Sequence, residues 1–192
     1  MSSLSRWGQL VCTAFGAALF SANAWAAGPT LLVSSSANPA VQGSTVTLSV
    51  KVEELVDLFA FQYNLSFNPA VLQAASLSEG SFLSAAGETF YSAGTINNST
   101  GLIGLTVNTL LGPVPGVSGN GVLSSVVFNV IGSGTSNIGF SAVEFLDSSL
   151  NSMTLQVQGG SIQAVPVPEP SAYLLLGAGL AGLAYARRRQ AV

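Results

Sequence analysis

The chain has 192 residues, which is enough for one ordinary domain together with short terminal signals. Only 7% of its residues are charged, 48% are hydrophobic, and histidine is absent. Between residues 27 and 165 a single lysine, Lys51, stands against seven acidic side chains, a net charge of minus six. One cation cannot make the basic surface that phosphate backbones require, so this balance excludes nucleic acid as a partner.

The first 26 residues have the three parts of a secretory signal peptide. One arginine gives a positive start, an apolar run follows, and Ala24 and Ala26 form a cleavage site of small residues. We therefore predict a signal helix over residues 1–26 and a mature chain that begins at Ala27. The only cysteine, Cys12, lies in the apolar run, so the exported domain has no disulfide.

Alternating apolar and polar residues fill most of the chain after the signal peptide. The clearest alternation is at residues 44–53, where valine or leucine occupies every second position. A period of two marks a strand with one buried face. We predict about nine strands separated by turns of glycine, proline and asparagine, at residues 30–36, 44–53, 58–67, 70–78, 89–95, 102–110, 121–131, 137–146 and 153–164.

Regular turn spacing without an amphipathic helix predicts an all-β domain over residues 27–165. The expected architecture is two packed antiparallel sheets, a β-sandwich or jelly roll. Residues 38–43 are expected to form a turn, and a short helical turn is expected within residues 81–87.

Residues 57–72 read Asp-Leu-Phe-Ala-Phe-Gln-Tyr-Asn-Leu-Ser-Phe-Asn-Pro-Ala-Val-Leu. An acidic residue, an alternating aromatic strand, Asn-Pro and a Val-Leu pair in this order resemble the cohesin domains of bacterial cellulosomes. Residues 76–83 and 121–130 are similar to later segments of that family. The resemblance implies a jelly-roll sandwich, with a fibronectin-type or immunoglobulin-like sandwich as the alternative. Because cohesins dock dockerin modules through one sheet face, it also implies a non-enzymatic binding or adhesion module whose ligand is a protein or a polysaccharide.

The last segment, residues 166–192, also has three parts. A proline-rich leader at residues 167–171 is followed by an apolar segment at residues 171–186 and a basic tail at residues 187–192. We predict that the apolar segment is a single transmembrane helix, with the arginines on the cytoplasmic side.

This order of leader, apolar segment and arginines resembles the PEP-CTERM sorting signal of Gram-negative bacteria. The resemblance implies an exosortase-type processing enzyme that recognises Pro168, Glu169, Pro170, Arg187, Arg188 and Arg189. It also implies a transient inner-membrane anchor, followed by a final location at the cell surface or in an extracellular polysaccharide matrix such as a biofilm. A permanently membrane-anchored surface protein is the alternative.

No catalytic combination of residues is present in the sequence. Without histidine and without a cysteine in the mature domain, Ser-His-Asp and Cys-His nucleophiles are excluded. A secreted glycoside hydrolase that uses two carboxylates stays open as the alternative, with Glu79, Glu88, Glu144 and Asp147 as its candidates. We predict that the protein is not an enzyme and has no cofactor.

One acidic cluster, Glu53, Glu54 and Asp57, invites a calcium interpretation. The cluster lacks the alternating oxygen ligands of a calcium-binding loop, so we predict a polar turn and no metal.

One aromatic row, Phe59, Phe61, Tyr63 and Phe67, invites a sugar-stacking interpretation. Alternate aromatic residues on one strand face more often build a core, and both tryptophans lie in the signal peptide. We therefore predict that the row belongs to the core.

Overall fold

The computed structural model describes residues 28–167 and 172–190. Eleven strands and a one-turn helix make up the first range, and a longer helix makes up the second. The strands are β1 (Thr30–Ser35), β2 (Ala40–Val41), β3 (Thr45–Ser66), β4 (Leu72–Glu79), β5 (Thr89–Ser92), β6 (Thr95–Asn97), β7 (Leu102–Leu110), β8 (Val117–Val130), β9 (Gly134–Asp147), β10 (Gln156–Val157) and β11 (Gly160–Val165). The helices are α1 (Ser81–Ser84) and α2 (Ala172–Gln190). The predicted all-β domain is confirmed.

Strand β3 is the central element, and it joins two strands that the sequence predicts separately. Its 22 residues change their buried parity midway, from even positions such as Val50 to odd positions such as Tyr63. Between them Glu54 and Asp57 have left-handed φ angles of 55° and 62°, and the pairing with β8 shifts register there. These bulges insert extra residues, which lets both halves of β3 turn an apolar face to the same core.

The two halves of β3 have different neighbours. The first half lies between β1 and β8, and β8 pairs in turn with β4. The second half lies between β7 and β9, with β5 and β6 beyond β7, and β11 beyond β9. All these pairs are antiparallel, whereas the short strands β10 and β2 pair in parallel with β1 and β11.

The core lies between these two groups of strands. The Phe67 ring, next to the second half of β3, meets the Phe128 ring of β8 edge-on at 5.0 Å. Tyr63 shares a hydrogen bond with Ser124 across the same space. Phe61, Tyr63 and Phe67 are all buried and Phe59 packs against the core, which confirms the core interpretation of the aromatic row.

The sheet domain contains its own complete core. Every buried hydrophobic residue of the described chain lies between Leu31 and Ala164. None of the described side chains of α2 is buried, so the described core is formed by residues 28–167 alone, as expected of a separate domain.

Some predicted boundaries are wrong. The strand predicted at residues 89–95 is divided into β5 and β6 by Gly94, whose φ is 75° and whose Cβ position would lie 2.2 Å from the Gly104 carbonyl oxygen. The predicted turn at residues 38–43 contains the two-residue strand β2, since its backbone pairs with β11. Only β10 and β11 form in the segment predicted as one strand at residues 153–164, whereas the predicted helical turn is present as α1.

The last turn of helix α2 contains Arg187, Arg188 and Arg189, and the helix includes three glycines. None of the helices in the described residues combines the length and the apolar character that a membrane crossing requires. The transmembrane helix predicted over residues 171–186 stays a prediction.

Candidate functional site

The two outer sheet faces differ in chemistry. On the face of β1, the first half of β3, β8 and β4, the register places four serines in one row across the strands. They are Ser34, Ser49, Ser125 and Ser78. The next row consists of Thr47, Val127 and Ser76, and the row beyond it of Thr45, Asn129 and Gln73. We call these residues the hydroxyl face; Val127 is the one apolar side chain among them.

The opposite outer face, formed by β5, β7, the second half of β3 and β9, is partly apolar. One row across the strands consists of Phe90, Thr109, Ala60 and Leu146. The next row consists of Ser92, Val107, Gln62 and Glu144. We call these eight residues, together with Leu105, Asn64 and Ser141 at one end, the mixed face. Five of these eleven residues are apolar, and two of the five, Phe90 and Leu105, are large and exposed. Large apolar and aromatic side chains are enriched at the centre of protein interfaces.

Two bulges flank one end of the mixed face. Leu105 in β7 and Ala142 in β9 have left-handed φ angles of 56° and 49°, on either side of Asn64 in β3. The Leu105 N–H donates to Asn64 Oδ1 at 2.7 Å, which holds the bulge. The Leu105 side chain is 58% exposed, as is that of Phe90. A bulky residue held in left-handed backbone with its side chain in solvent costs stability, and such strain is concentrated at functional sites.

A pocket of about 170 Å³ lies at the centre of the mixed face. Its lining residues are Ala60, Phe61, Gln62, Val107, Glu144 and Leu146. Five of them belong to the two outward rows, so the pocket is part of the face itself. Glu144 is the only charged residue that lines it.

The sequence profile of the cohesin domain matches residues 31–164, almost the whole sheet domain. The chain belongs to the cohesin family. Cohesins are non-catalytic protein-interaction modules, and their partners are dockerin modules. A second profile, that of the PEP-CTERM protein-sorting motif, matches residues 166–189, which implies export and sorting to the surface.

Solved structures of cohesins share this fold. A non-cellulosomal cohesin from the archaeon Archaeoglobus fulgidus is 21% identical with a TM-score of 0.56, and the match covers 77% of this chain and 96% of that one. The second type II cohesin module of the ScaA scaffoldin of Acetivibrio cellulolyticus is 19% identical, with a TM-score of 0.63 and coverage of 72% and 98%. A chain from a type I cohesin–dockerin complex of Clostridium thermocellum is 15% identical, with a TM-score of 0.59 and coverage of 72% and 99%. No curated protein matches the chain.

Asp57, in the motif that carries the cohesin resemblance, is a structural link. Its carboxylate accepts hydrogen bonds from the Gly116 N–H at 2.9 Å and from Ser148 Oγ at 2.6 Å. A side chain at residue 116 would not fit, because its Cβ would lie 2.5 Å from the Asp57 carbonyl oxygen. The hydrogen bond from Ser148 above all holds the pKa of the Asp57 carboxyl below its usual value. The link ties β3 to the segment before β8 and to the turn after β9.

The acidic cluster of Glu53, Glu54 and Asp57 is a polar bulge in this cohesin domain. Glu53 and Glu54 are exposed, whereas the Asp57 carboxylate accepts the hydrogen bonds from Gly116 and Ser148. Over the described ranges no three side chains among His, Cys, Asp and Glu come together as a possible metal site.

Of the four carboxylates considered for a glycoside hydrolase, Glu88 is exposed, and the other three accept hydrogen bonds from neighbouring side chains. Glu79 Oε1 accepts from Thr89 and Asn108 inside the domain, whereas Glu144 Oε1 accepts from Ser152 on the outer face. Asp147 organises its own turn, and hydrogen bonds from Asn151 hold the pKa of its carboxyl below the usual value. A general acid in such an enzyme needs a raised pKa, so Asp147 does not fit that role.

The residues predicted for sorting lie outside the sheet domain. Arg187, Arg188 and Arg189 form the exposed last turn of α2. Pro168, Glu169 and Pro170 lie outside the described residues, as do Ala24 and Ala26 of the predicted signal peptide.

Sequence reasoning did not find the mixed face. The alternation in β3, β7 and β9 is visible in the sequence, but the cross-strand register that groups Ala60, Val107 and Leu146 is not. The one available signal is an apolar residue on the outward side of a strand, as at Leu146.

Proposed function

We propose that this cohesin domain binds a dockerin-type protein module through the mixed face, outside the cell. The observation that supports it most is that Leu105, which is exposed and in left-handed backbone, shares this face with the exposed Phe90. Exposed apolar side chains that share one sheet face suit a surface that a partner covers. A polysaccharide is less well suited, because Phe61, Tyr63 and Phe67 of the aromatic row, which could have stacked on sugar rings, are buried in the core.

Variants that change one face at a time test this proposal. Residues 28–167 serve as bait for the secreted proteins of the producing bacterium. Val107→Arg places a charge in the mixed face, and Val127→Arg is the matched control on the hydroxyl face, where Val127 pairs with Thr47. Val107→Arg should lower the amount of captured dockerin-type protein by tenfold or more. Residues near the centre of an interface supply most of the binding energy, and a charge placed there disrupts their packing. Val127→Arg should leave it unchanged; the opposite ranking would refute the proposal.

We also propose that the C-terminal segment directs processing by an exosortase-type enzyme after export. In this scheme signal peptidase cleaves after Ala26, and the enzyme reads Pro168, Glu169 and Pro170. Proline restricts the backbone, so prolines on both sides of Glu169 would reduce the entropy that an enzyme must remove on binding this segment. The arginines of α2 stay on the cytoplasmic side of the inner membrane until processing releases the domain to the surface or the extracellular matrix.

A further inference from the structure

We infer that the pocket of the mixed face is a socket for one long cationic side chain, lysine or arginine, of the protein partner. This inference rests on the proposed function, because it takes the mixed face as the docking surface. The pocket volume of about 170 Å³ leaves room for a side chain of several heavy atoms. A lysine side chain, a four-carbon stem that ends in an ammonium group, has a similar number of heavy atoms.

The arrangement of the lining residues suits such a side chain. Ala60, Val107 and Leu146 supply apolar walls from three adjacent strands. Glu144 and Gln62, which face each other across β9 and β3, supply the polar end. Lysine and arginine bury their aliphatic stems along apolar surface and keep the charged group beside polar atoms.

The carboxylate of Glu144 is oriented by one hydrogen bond and can still accept another from a ligand. Ser152 Oγ donates to Glu144 Oε1, whereas Oε2 receives no hydrogen bond from any described residue. A single carboxylate is too few for a calcium or magnesium site, which needs several oxygen ligands. It is enough for one ammonium or guanidinium group, which forms a charge-assisted hydrogen bond.

The charge of the whole domain favours the same ligand. Residues 27–165 contain one lysine against seven acidic residues. This excess of negative charge attracts cationic groups over distances longer than a hydrogen bond and raises the rate at which they reach the mixed face.

The test uses small probes and the isolated domain, residues 28–167 labelled with ¹⁵N. The probes are the N-acetyl methylamides of lysine, arginine, norleucine and glutamate. We expect the lysine and arginine probes to shift the amide signals of Gln62, Val107 and Leu146 with millimolar dissociation constants. Norleucine, which has the stem without the charge, should bind more weakly, and glutamate should not bind.

Two variants that each remove one negative charge distinguish binding in the socket from attraction by the net charge of the domain. Glu144→Gln should weaken binding of the lysine probe about two- to fivefold, to the level of norleucine. Glu53→Gln removes an exposed carboxylate from the other half of β3 and should have little effect. Salt at about 1 M should remove most of the lysine advantage, because it screens exposed charges.

Equal binding of lysine and norleucine, or equal effects of the two variants, would overturn the socket. This result differs from failure of the proposed function. If Val107→Arg abolishes capture of the partner while Glu144→Gln leaves the lysine probe unaffected, the face stands and the socket is wrong. If the lysine probe binds at Glu144 but Val107→Arg captures as much partner as the unchanged domain, the proposed docking face is wrong.

Discussion

Two tyrosines on the inner side of the domain have hydroxyl groups in opposite situations. Tyr63 shares a hydrogen bond with Ser124, and burial raises its pKa to about 12. Tyr91 has a buried hydroxyl without a partner among the described residues, and burial, followed by the charges of Tyr63 and Glu79, raises its pKa. A buried hydroxyl that forms a hydrogen bond contributes to stability. A buried hydroxyl without one has lost its hydrogen bonds to water and gained none in the protein, which lowers stability.

We therefore expect Tyr63→Phe and Tyr91→Phe to act in different directions. Tyr63→Phe should lower the free energy of unfolding by about 1 kcal/mol or more, since Ser124 loses its partner. Tyr91→Phe should be neutral or raise it by about 1 kcal/mol. Chemical denaturation of residues 28–167 measures both. Equal losses for the two variants would show that the Tyr91 hydroxyl does have a partner.

Leu105 offers a second test at the scale of one residue. Leu105→Gly removes the left-handed strain and an exposed apolar side chain, so it should raise the free energy of unfolding by about 0.5–1 kcal/mol. Leu150→Gly, at φ 61° in the turn after β9, is a reference for strain relief alone. Both variants should gain stability, but only Leu105→Gly should also weaken partner binding. A stabilised Leu105→Gly that binds as before would remove Leu105 from the interface.

At the scale of elements, the sequence predicts where strands lie but not that two of them, at residues 44–53 and 58–67, form the single strand β3. The alternation at residues 44–53 and 58–67 gives the correct buried side chains in most of β3. It does not show that β3 continues between them, because the left-handed residues there depend on distant partners. The Glu54 N–H donates to Asn120 Oδ1 and the Asp57 N–H donates to Ser118 Oγ, each more than sixty residues away. Local propensity contains no such information, and the same holds for the register that builds the mixed face.

Asparagine side chains complete two sheet edges. The Asn98 amide pairs with Ala74 on the outer edge of β4, accepting from its N–H at 2.8 Å and donating to its C=O at 3.0 Å. Asn38 pairs in the same way with Gln163 N–H and Ser161 C=O on β11. Each amide substitutes for a neighbouring strand, so the edge is satisfied without another chain.

The Asn98 pair predicts a graded effect of substitution. Asn98→Leu leaves both backbone groups of the buried Ala74 unpaired and should lower the free energy of unfolding by about 1–3 kcal/mol. Asn98→Asp keeps an acceptor for the N–H and should cost less. Denaturation measures the loss of stability, and light scattering of the same samples shows whether copies of the domain associate through the exposed edge of β4. If Asn98→Leu is as stable as the unchanged domain, the edge does not need this amide.

The whole molecule combines a cohesin domain with a PEP-CTERM motif. The motif residues could be identified from sequence, because their order along the chain is itself the signal. If an exosortase-type enzyme reads Glu169, Glu169→Ala should leave the precursor in the membrane fraction. Blots of cells and medium measure this, with Glu88→Ala, an exposed carboxylate of the sheet domain, as the control. Release of Glu169→Ala at the normal level would contradict the processing scheme.

Binding of a protein partner through the mixed face is the central claim, and site-specific photo-cross-linking in the producing cells tests it most directly. A photoreactive amino acid is placed at Gln62 on the mixed face or at Ser49 on the hydroxyl face, and adducts are identified by mass spectrometry. We predict one dockerin-type secreted protein attached at Gln62, reduced by an excess of unlabelled residues 28–167, and no such adduct at Ser49. Adducts at Ser49 that equal or exceed those at Gln62, or no adduct at Gln62, would contradict the account.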